Sequence, residues 1–100
     1  MIRKLNKTVI CKDGFKMSIQ ANDAAYCDPR VIGADRYIAV EIGFPNQSEE
    51  MILEYADDQA APTDTVYAYV PSSLVSLVIA KHGGIVEGEL PAGIPYLRAD

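Results

Sequence analysis

The sequence contains no tryptophan, one histidine and two cysteines, and these shortages exclude several classes of protein. Two cysteines cannot build the disulfide framework of a small secreted domain, and with a single histidine they fall short of the roughly four ligands of a structural zinc site. No apolar run approaches the roughly 20 residues of a membrane-spanning helix. The first residues, MIRKLNKTVICK, lack the apolar segment of a signal peptide. We therefore expect a cytoplasmic protein that does not bind membranes and that has free thiols at Cys11 and Cys27.

Basic residues are also absent from the middle of the chain, which polarises an acidic protein of net charge −5. No lysine or arginine occurs from Tyr37 to Ala80, whereas residues 1–16 carry five bases and one acid. Such polarity influences which partners a protein binds. The overall acidity argues against direct nucleic-acid binding, and true duplex mimicry needs denser negative charge. The acids of the base-free span are Glu41, Glu49, Glu50, Glu54, Asp57, Asp58 and Asp64.

Residues 65–84, TVYAYVPSSLVSLVIAKHGG, carry the clearest structural signals. Small apolar residues alternate with Tyr67 and Tyr69, and this pattern is typical of a half-buried strand. Pro71 ends the strand, and its missing N–H suits the first turn of a helix. The alternating residues are Val66, Ala68 and Val70.

A helix is predicted at about residues 71–82. Ser72 or Ser73 is expected to cap its first amides, and Gly83–Gly84 supplies the left-handed conformation that ends a helix. Since a helix of this length is marginal alone, it must pack on a sheet. We expect Leu77 to be buried there, so that Leu77→Ala would cost roughly 2–5 kcal/mol. The predicted apolar face comprises Leu74, Val75, Leu77, Val78 and Ile79.

Residues 7–21, KTVICKDGFKMSIQA, predict a β-hairpin. A three-residue loop, 12–14, is favoured over a two-residue turn because it pairs Cys11 with Phe15 and keeps the apolar residues on one face. Gly14 then occupies the left-handed position that closes such a loop. The predicted buried face comprises Val9, Cys11, Phe15, Met17 and Ile19.

Two further strands are expected in the middle of the chain. Residues 37–44, YIAVEIGF, alternate strictly, with one predicted apolar face. Residues 48–56 favour a strand that pairs with residues 65–70 through an acidic loop, and a helix capped by Ser48 is the alternative. The apolar face of the first strand comprises Ile38, Val40, Ile42 and Phe44.

The remaining segments carry turn residues rather than a periodic pattern. Residues 22–36 form a long loop that is either functional or contains further structure. Residues 85–100 contain two prolines and two glycines and are expected to be extended, with Tyr96 and Leu97 as anchors. The chain is thus predicted to be a single α+β domain at 1–100, with its core at about 7–86 and an extended tail at 87–100. A mainly antiparallel sheet of four to five strands carries the helix on one face.

No segment shows a catalytic or cofactor-binding motif. His82 precedes a Gly-Gly cap, which is typical of a helix end, and the nearby serines of residues 72–76 lack a nucleophile elbow. The acids of residues 57–64 lack the spacing and glycine of a calcium-binding EF-hand loop. We therefore expect a non-enzymatic protein without a metal or a cofactor.

The stretch YCDPR, residues 26–30, is the most distinctive in the chain. A cysteine beside an arginine can have a lowered pKa and react. The favoured interpretation is instead a turn formed at Asp28–Pro29, in which Tyr26 and Cys27 pack inward and Arg30 pairs with an acid.

The segments DGFKMSIQA, YCDPR, YIAVEIGFP, TVYAYVP and AKHGG together resemble small, uncharacterised proteins of tailed bacteriophages, over roughly residues 9–86. The resemblance implies an accessory protein in the cytoplasm of an infected bacterium and carries over no residue role. We therefore expect a protein that binds and inhibits a host or defence protein complex. The alternative is a minor virion or assembly protein that binds a phage structural protein. The expected partner-binding residues are Tyr26, Arg30, Glu49, Glu50, Glu54, Asp57, Asp58 and Asp64.

Overall fold

A computed structural model of the chain describes residues 4–100. Within this range, five strands form one antiparallel sheet of order β4-β3-β2-β1-β5, accompanied by one α-helix. The helix joins β4 to β5 and therefore connects the two edges of the sheet. The predicted α+β class, with four to five antiparallel strands and one helix, is confirmed. The elements are β1 (Val9–Cys11), β2 (Lys16–Gln20), β3 (Ala39–Gly43), β4 (Val66–Pro71), α1 (Ser72–Lys81) and β5 (Ile85–Glu87).

The β1–β2 hairpin has the predicted register. Val9 pairs with Met17, and the Cys11 N–H donates to the Phe15 carbonyl at 2.8 Å across the three-residue loop. Gly14 closes the loop at φ +92°. All five residues of the predicted face are almost completely buried, which confirms that face.

β3 and β4 keep their predicted positions, but each departs from simple alternation. In β3, Val40 and Ile42 are buried as predicted, whereas Ile38 and Phe44 are exposed because they lie just outside the paired residues. The pairing register of β4 with β3 shifts between Val40 and Ile42 of β3. This β-bulge places two residues of β4 opposite one residue of β3. The fully buried residues of β4 are consequently Tyr67 and Val70 rather than every second residue.

Two aromatic residues, one directly after β3 and one within β4, lie in the left-handed region. Phe44 has φ +47° and Tyr69 has φ +52°, and their side chains are 59% and 48% exposed. L-residues other than glycine rarely adopt this conformation, since Cβ crowds the backbone.

Helix α1 ends as predicted but begins differently. The Gly84 N–H donates to the Ile79 carbonyl, and Gly83 has φ +90°, as in a Schellman cap. Neither predicted serine caps the first turn. Ser72 instead donates through Oγ to the Tyr37 carbonyl at 2.7 Å and so attaches the helix to the segment before β3.

The predicted burial of Leu77 is wrong. Val75, Val78 and Ile79 form the buried face of α1, whereas Leu77 is 58% exposed. The helix is apolar on nearly all sides except for its serines, so the sequence pattern did not distinguish the inner face from the outer one.

Leu77→Ala is therefore expected to change the free energy of unfolding by less than about 0.5 kcal/mol. Ile79→Val removes only one methylene, but from a fully buried side chain, and is expected to cost about 0.5–1.5 kcal/mol. Urea denaturation of both variants measures this order. A larger loss for Leu77→Ala would mean that a second surface covers the outer face of α1.

The predicted strand at residues 48–56 is wrong. The segment forms turns and a short 3₁₀ helix at Leu53–Tyr55, and its one pairing with β4 is an isolated bridge between Ala56 and Tyr67. Ile52 and Glu49 fill the fully buried positions of the segment, so it attaches by these two anchors rather than by an alternating face.

The two stretches without periodicity are both tied to the sheet. In the 22–36 loop, Ala25 and Cys27 are buried, and Asp28 bridges to Ala39. After β5 the chain turns back, and Arg98 forms a parallel bridge with Ile85. The expected anchors Tyr96 and Leu97 are each more than 40% exposed, although the Tyr96 hydroxyl donates to the Gly88 carbonyl at 3.1 Å.

Candidate functional site

The acidic loop, defined here as residues 57–64, is attached to β4 by its own backbone. The Asp57 N–H donates to the Val66 carbonyl at 2.9 Å, and the Asp58 N–H donates to Thr65 Oγ1 at 3.0 Å. The Tyr67 hydroxyl, at the end of a buried side chain, donates to the Pro62 carbonyl. These contacts hold the loop against the strand while its carboxylates extend outward.

Five of the expected acids are exposed on and beside this loop. Within residues 4–100 none of the five forms an ion pair with a lysine or arginine. The pKa of Lys81 is raised mainly by its hydrogen bond to Glu49, and the charge of Glu50 adds a smaller effect in the same direction. The structure thus exposes five of the six predicted partner-binding carboxylates, three on the acidic loop and two in the segment before it. They are Glu50, Glu54, Asp57, Asp58 and Asp64.

Glu49 does not belong to this surface. Its side chain is 1% exposed and accepts hydrogen bonds from inside the protein. The adjacent acids Glu49 and Glu50 therefore differ in role, a distinction that their identical chemistry in the sequence did not reveal.

Tyr26 and Arg30 do come together at the surface. The Arg30 Cζ lies 5.3 Å from the centroid of the Tyr26 ring, and Arg30 Nη2 donates to the Ala24 carbonyl at 3.0 Å. Tyr26 is 45% exposed, and the described residues include no acid paired with Arg30, so the predicted inward packing of Tyr26 and ion pair of Arg30 are both wrong. A third residue, Tyr69, places its ring centroid 6.2 Å from that of Tyr26. We call Tyr26, Arg30 and Tyr69 the tyrosine cluster.

Tyr69 was not identified from the sequence as a candidate. Its position in an alternating strand pattern indicated only one face of a strand, and the β-bulge that exposes it depends on pairing with the distant β3.

Cys27 packs inward, as the favoured interpretation predicted. It is 2% exposed, and its thiol donates to the Asn22 carbonyl at 3.1 Å. Burial raises the pKa of the Cys27 thiol and outweighs the opposing effect of Arg30. Burial and the charge of Asp13 likewise raise the pKa of Cys11 to about 11. Both groups are therefore thiols rather than reactive thiolates at neutral pH.

His82 is buried and is the centre of a polar network that reaches the surface at Asp13 and Lys81. Its Nδ1 lies 2.6 Å from Asp13 Oδ2 in the hairpin loop, and its Nε2 lies 2.6 Å from Glu49 Oε1. The ring stacks on Phe15 with a centroid distance of 4.1 Å. Glu49 Oε2 also accepts from Lys81 Nζ and from the Met51 N–H, both at 2.9 Å.

The geometry of this network fits an imidazolium ion. Carboxylates only accept hydrogen bonds, so a ring that bonds to one on each side donates from both nitrogens. Two cations, His82 and Lys81, then balance two anions, Asp13 and Glu49. Because every member is satisfied within the protein, the network joins the hairpin loop, residues 49–51 and the end of α1.

Hydrogen bonding controls the ionisation of the two carboxylates. Burial by itself would raise the pKa of Glu49, but hydrogen bonds from the Met51 N–H, Lys81 and His82 together hold it below the ordinary 4.5. The Phe15 N–H and then His82 lower the pKa of Asp13 below 3.8.

The stability of the fold should therefore decrease in acid. Since the folded pKa of Glu49 lies below the unfolded value, its carboxylate stabilises the fold above about pH 4.5, and this stabilisation is lost as the pH falls through the folded value. Urea denaturation should show that the free energy of unfolding falls less between pH 6 and 3 in Glu49→Gln than in the wild type. The two decreases should differ by about 1.4 kcal/mol for each unit by which the folded pKa of Glu49 lies below the unfolded one. Glu54→Gln, at an exposed acid, should keep the wild-type profile. Equal profiles for Glu49→Gln and wild type would contradict the assignment.

An open groove of about 530 Å³ lies beside the first turn of α1, where Arg36, Ile38, Ser73 and Pro95 contribute to its walls. Arg36 is exposed, so the groove holds no buried charge.

Among residues 4–100, no set of three or more histidine, cysteine or acidic side chains is arranged to hold a metal ion. No helix in the described part of the chain is long and apolar enough to cross a membrane.

The chain matches no protein-family model, no curated protein and no solved structure.

Proposed function

We propose that this protein is a non-enzymatic accessory protein of the tailed-phage type that binds and inhibits a host or defence protein complex. The observation that carries the proposal is the acidic loop, which holds exposed carboxylates without ion-pair partners against a rigid strand. A basic protein surface complements such a loop, since opposite charges accelerate encounter and fix orientation.

The arrangement of the loop supports a preorganised surface. Ala56 bridges to Tyr67, and the next two residues donate hydrogen bonds to β4 and Thr65, so the backbone that carries the carboxylates needs little ordering when a partner binds. Preorganisation reduces the entropy cost of association. The tyrosine cluster attaches to the same strand, where the Tyr69 N–H donates to the Tyr26 carbonyl at 3.0 Å. Tyrosine and arginine are the residues that most often contribute binding energy in interfaces.

Affinity capture from lysate of the bacterial host tests the proposal. The bait carries an N-terminal tag, and the captured proteins are identified by mass spectrometry at low and moderate salt. We expect one host complex, captured in stoichiometric amount, whose recovery falls as salt rises, because salt screens exposed charges. Inhibition is then measured as loss of that complex's own activity when the protein is added.

Two triple variants locate the surface. The first variant neutralises the loop by combining Asp57→Asn, Asp58→Asn and Asp64→Asn, and we expect it to lose at least tenfold in binding. The second variant is the control, because it changes the net charge equally at exposed positions elsewhere and should bind as the wild type does. It combines Asp35→Asn, Glu87→Gln and Asp100→Asn. Equal binding by both variants would rule out the loop, and capture of no host complex would rule out the function.

The alternative, a minor virion or assembly protein, was expected to dock through its basic N-terminus or its tail. In the structure the tail returns to its own sheet, where the Ala99 N–H donates to the Ile85 carbonyl at 2.9 Å. This contact favours the binding of a separate host complex over docking by a free tail. Detection in purified phage particles would support the alternative.

A further inference from the structure

Tyr69 occupies a backbone conformation that its side chain disfavours. Its φ of +52° lies in the left-handed region, where glycine carries no steric cost. The ring is 48% exposed and therefore adds little to the core. Strained residues of this kind concentrate at functional sites, where the surrounding structure maintains them. Phe44 shares this strain and exposure, and what distinguishes Tyr69 is its place beside a second ring that contacts a guanidinium.

Hydrogen bonds of the Tyr69 and Tyr26 amides hold the backbone of the two residues together. The Tyr69 N–H donates to the Tyr26 carbonyl, and the Tyr26 N–H donates to Glu41 Oε1 at 2.9 Å. The rings are tilted by 45° with respect to each other. Both are exposed, so they form a small aromatic surface on a hydrogen-bonded backbone.

One ring of the pair already contacts a guanidinium. Arg30 lies over Tyr26, with Cζ 5.3 Å from the ring centroid, which is within the range of cation–π attraction. Within residues 4–100 the cation–π contacts are those of Tyr26 and Tyr96, so no lysine or arginine of this range stacks on the Tyr69 ring. In the cluster, the Tyr26 ring is therefore occupied by a guanidinium, and the Tyr69 ring is available to one.

Acidic groups near the available ring offset the positive charge of Arg30. The Glu41 carboxylate accepts from the Tyr26 N–H, and Asp57, the first residue of the acidic loop, donates its N–H to the carbonyl of Val66, three residues before Tyr69. Three residues of strand correspond to about 10 Å, which is the separation along β4 between the start of the loop and Tyr69. A cation that approaches the loop is therefore attracted to the neighbourhood of Tyr69.

We propose that the Tyr69 ring, with Tyr26 beside it, binds an arginine side chain of a basic protein partner by stacking on its guanidinium. The proposal rests on the proposed function, because it names the side chain that the partner presents to the same surface. Arginine is favoured over lysine because its planar, weakly hydrated guanidinium stacks on aromatic faces, whereas an ammonium remains strongly hydrated.

Fluorescence anisotropy with two labelled peptides of equal length tests the site. One peptide alternates arginine with glycine, and the other alternates lysine with glycine. At low salt, we expect the arginine peptide to bind more tightly. Tyr69→Gly removes the ring while keeping the left-handed backbone and should weaken the arginine peptide about five- to tenfold, close to the affinity of the lysine peptide.

Phe44→Gly is the matched control, because Phe44 is also an exposed aromatic residue with a positive φ. Among the described residues no ring or cation stacks on Phe44, so this variant should bind both peptides as the wild type does. Thermal melts of both glycine variants should show equal or higher Tm than the wild type, since each substitution relieves a strained backbone. A loss of binding in Tyr69→Gly is then not attributable to unfolding.

The outcomes separate the two proposals. Undiminished binding of the arginine peptide by Tyr69→Gly, an equal loss in Phe44→Gly, or no binding of the arginine peptide to the wild type would each overturn the arginine site. The triple loop variant should weaken both peptides similarly, because it removes charge rather than a stacking surface. If that variant loses the host complex while Tyr69→Gly retains it, the proposed function stands and the arginine site falls.

Discussion

His82→Ala is expected to lower the free energy of unfolding by about 3–5 kcal/mol, the usual cost of removing one partner from a buried ion pair. The variant leaves Glu49 Oε1 without its donor in a position where the side chain is 1% exposed, and it removes the ring that stacks on Phe15. Because small domains are stabilised by about 5–15 kcal/mol, this single change consumes a large part of the total. Urea denaturation at pH 7 measures it.

His82→Phe separates the two contributions. A phenyl ring can keep the stack on Phe15 but donates no hydrogen bond, so the remaining loss of about 1–3 kcal/mol reports the unsatisfied Glu49. Asp13→Asn should affect stability less than either variant, since the Asp13 side chain is 47% exposed and can be solvated. A loss below about 1 kcal/mol for His82→Ala would show that water replaces the imidazolium at Glu49.

Gly88→Ala is expected to be comparably damaging, for steric reasons. A Cβ at this position would lie 2.5 Å from Val9 Cα and 2.6 Å from the Thr8 carbonyl oxygen, so two stretches of backbone would have to separate. The overlap is expected to cost about 1–3 kcal/mol, and the strain of φ +129° at a residue with a side chain adds about 1–3 kcal/mol. Denaturation by urea again gives the loss.

Gly14→Ala isolates the conformational part of this effect. Gly14 has φ +92°, but no atom lies within 4 Å of the Cβ that alanine would add. Its loss should therefore reflect backbone strain alone, and the excess loss in Gly88→Ala measures the close approach of β1. Equal losses in the two variants would mean that the chain after β5 moves away from β1 without a cost.

Short-range patterns were sufficient to predict the parts of the fold in which neighbouring residues determine each other's positions. The hairpin register followed from the alternation of residues 7–21 around Gly14, and the end of α1 followed from Gly83–Gly84. In both segments the hydrogen-bonding partners lie within a few residues, so local chemistry carries the necessary information.

The features that escaped prediction depend on residues far apart in the chain. His82 lies 69 residues from Asp13 and 33 from Glu49, and neither spacing is a recognised motif. The bulge that exposes Tyr69 arises from the pairing of β4 with β3, and alternation within β4 gives no sign of it. The outward position of Leu77 depends on which side of an almost uniformly apolar helix meets the sheet. The surface acids were predicted from composition alone, and tertiary contacts then removed Glu49 from that set.

Both edges of the sheet are occupied by the chain itself, and this limits the ways in which another protein can be recognised. Ala56 and Asp57 pair with the outer side of β4, and residues 97–99 pair with the outer side of β5. An exposed edge strand would offer a row of backbone amides and carbonyls to an extended peptide or to a second copy of the chain. Because part of each row is already bonded, strand addition is disfavoured at either edge, and this favours recognition through side chains.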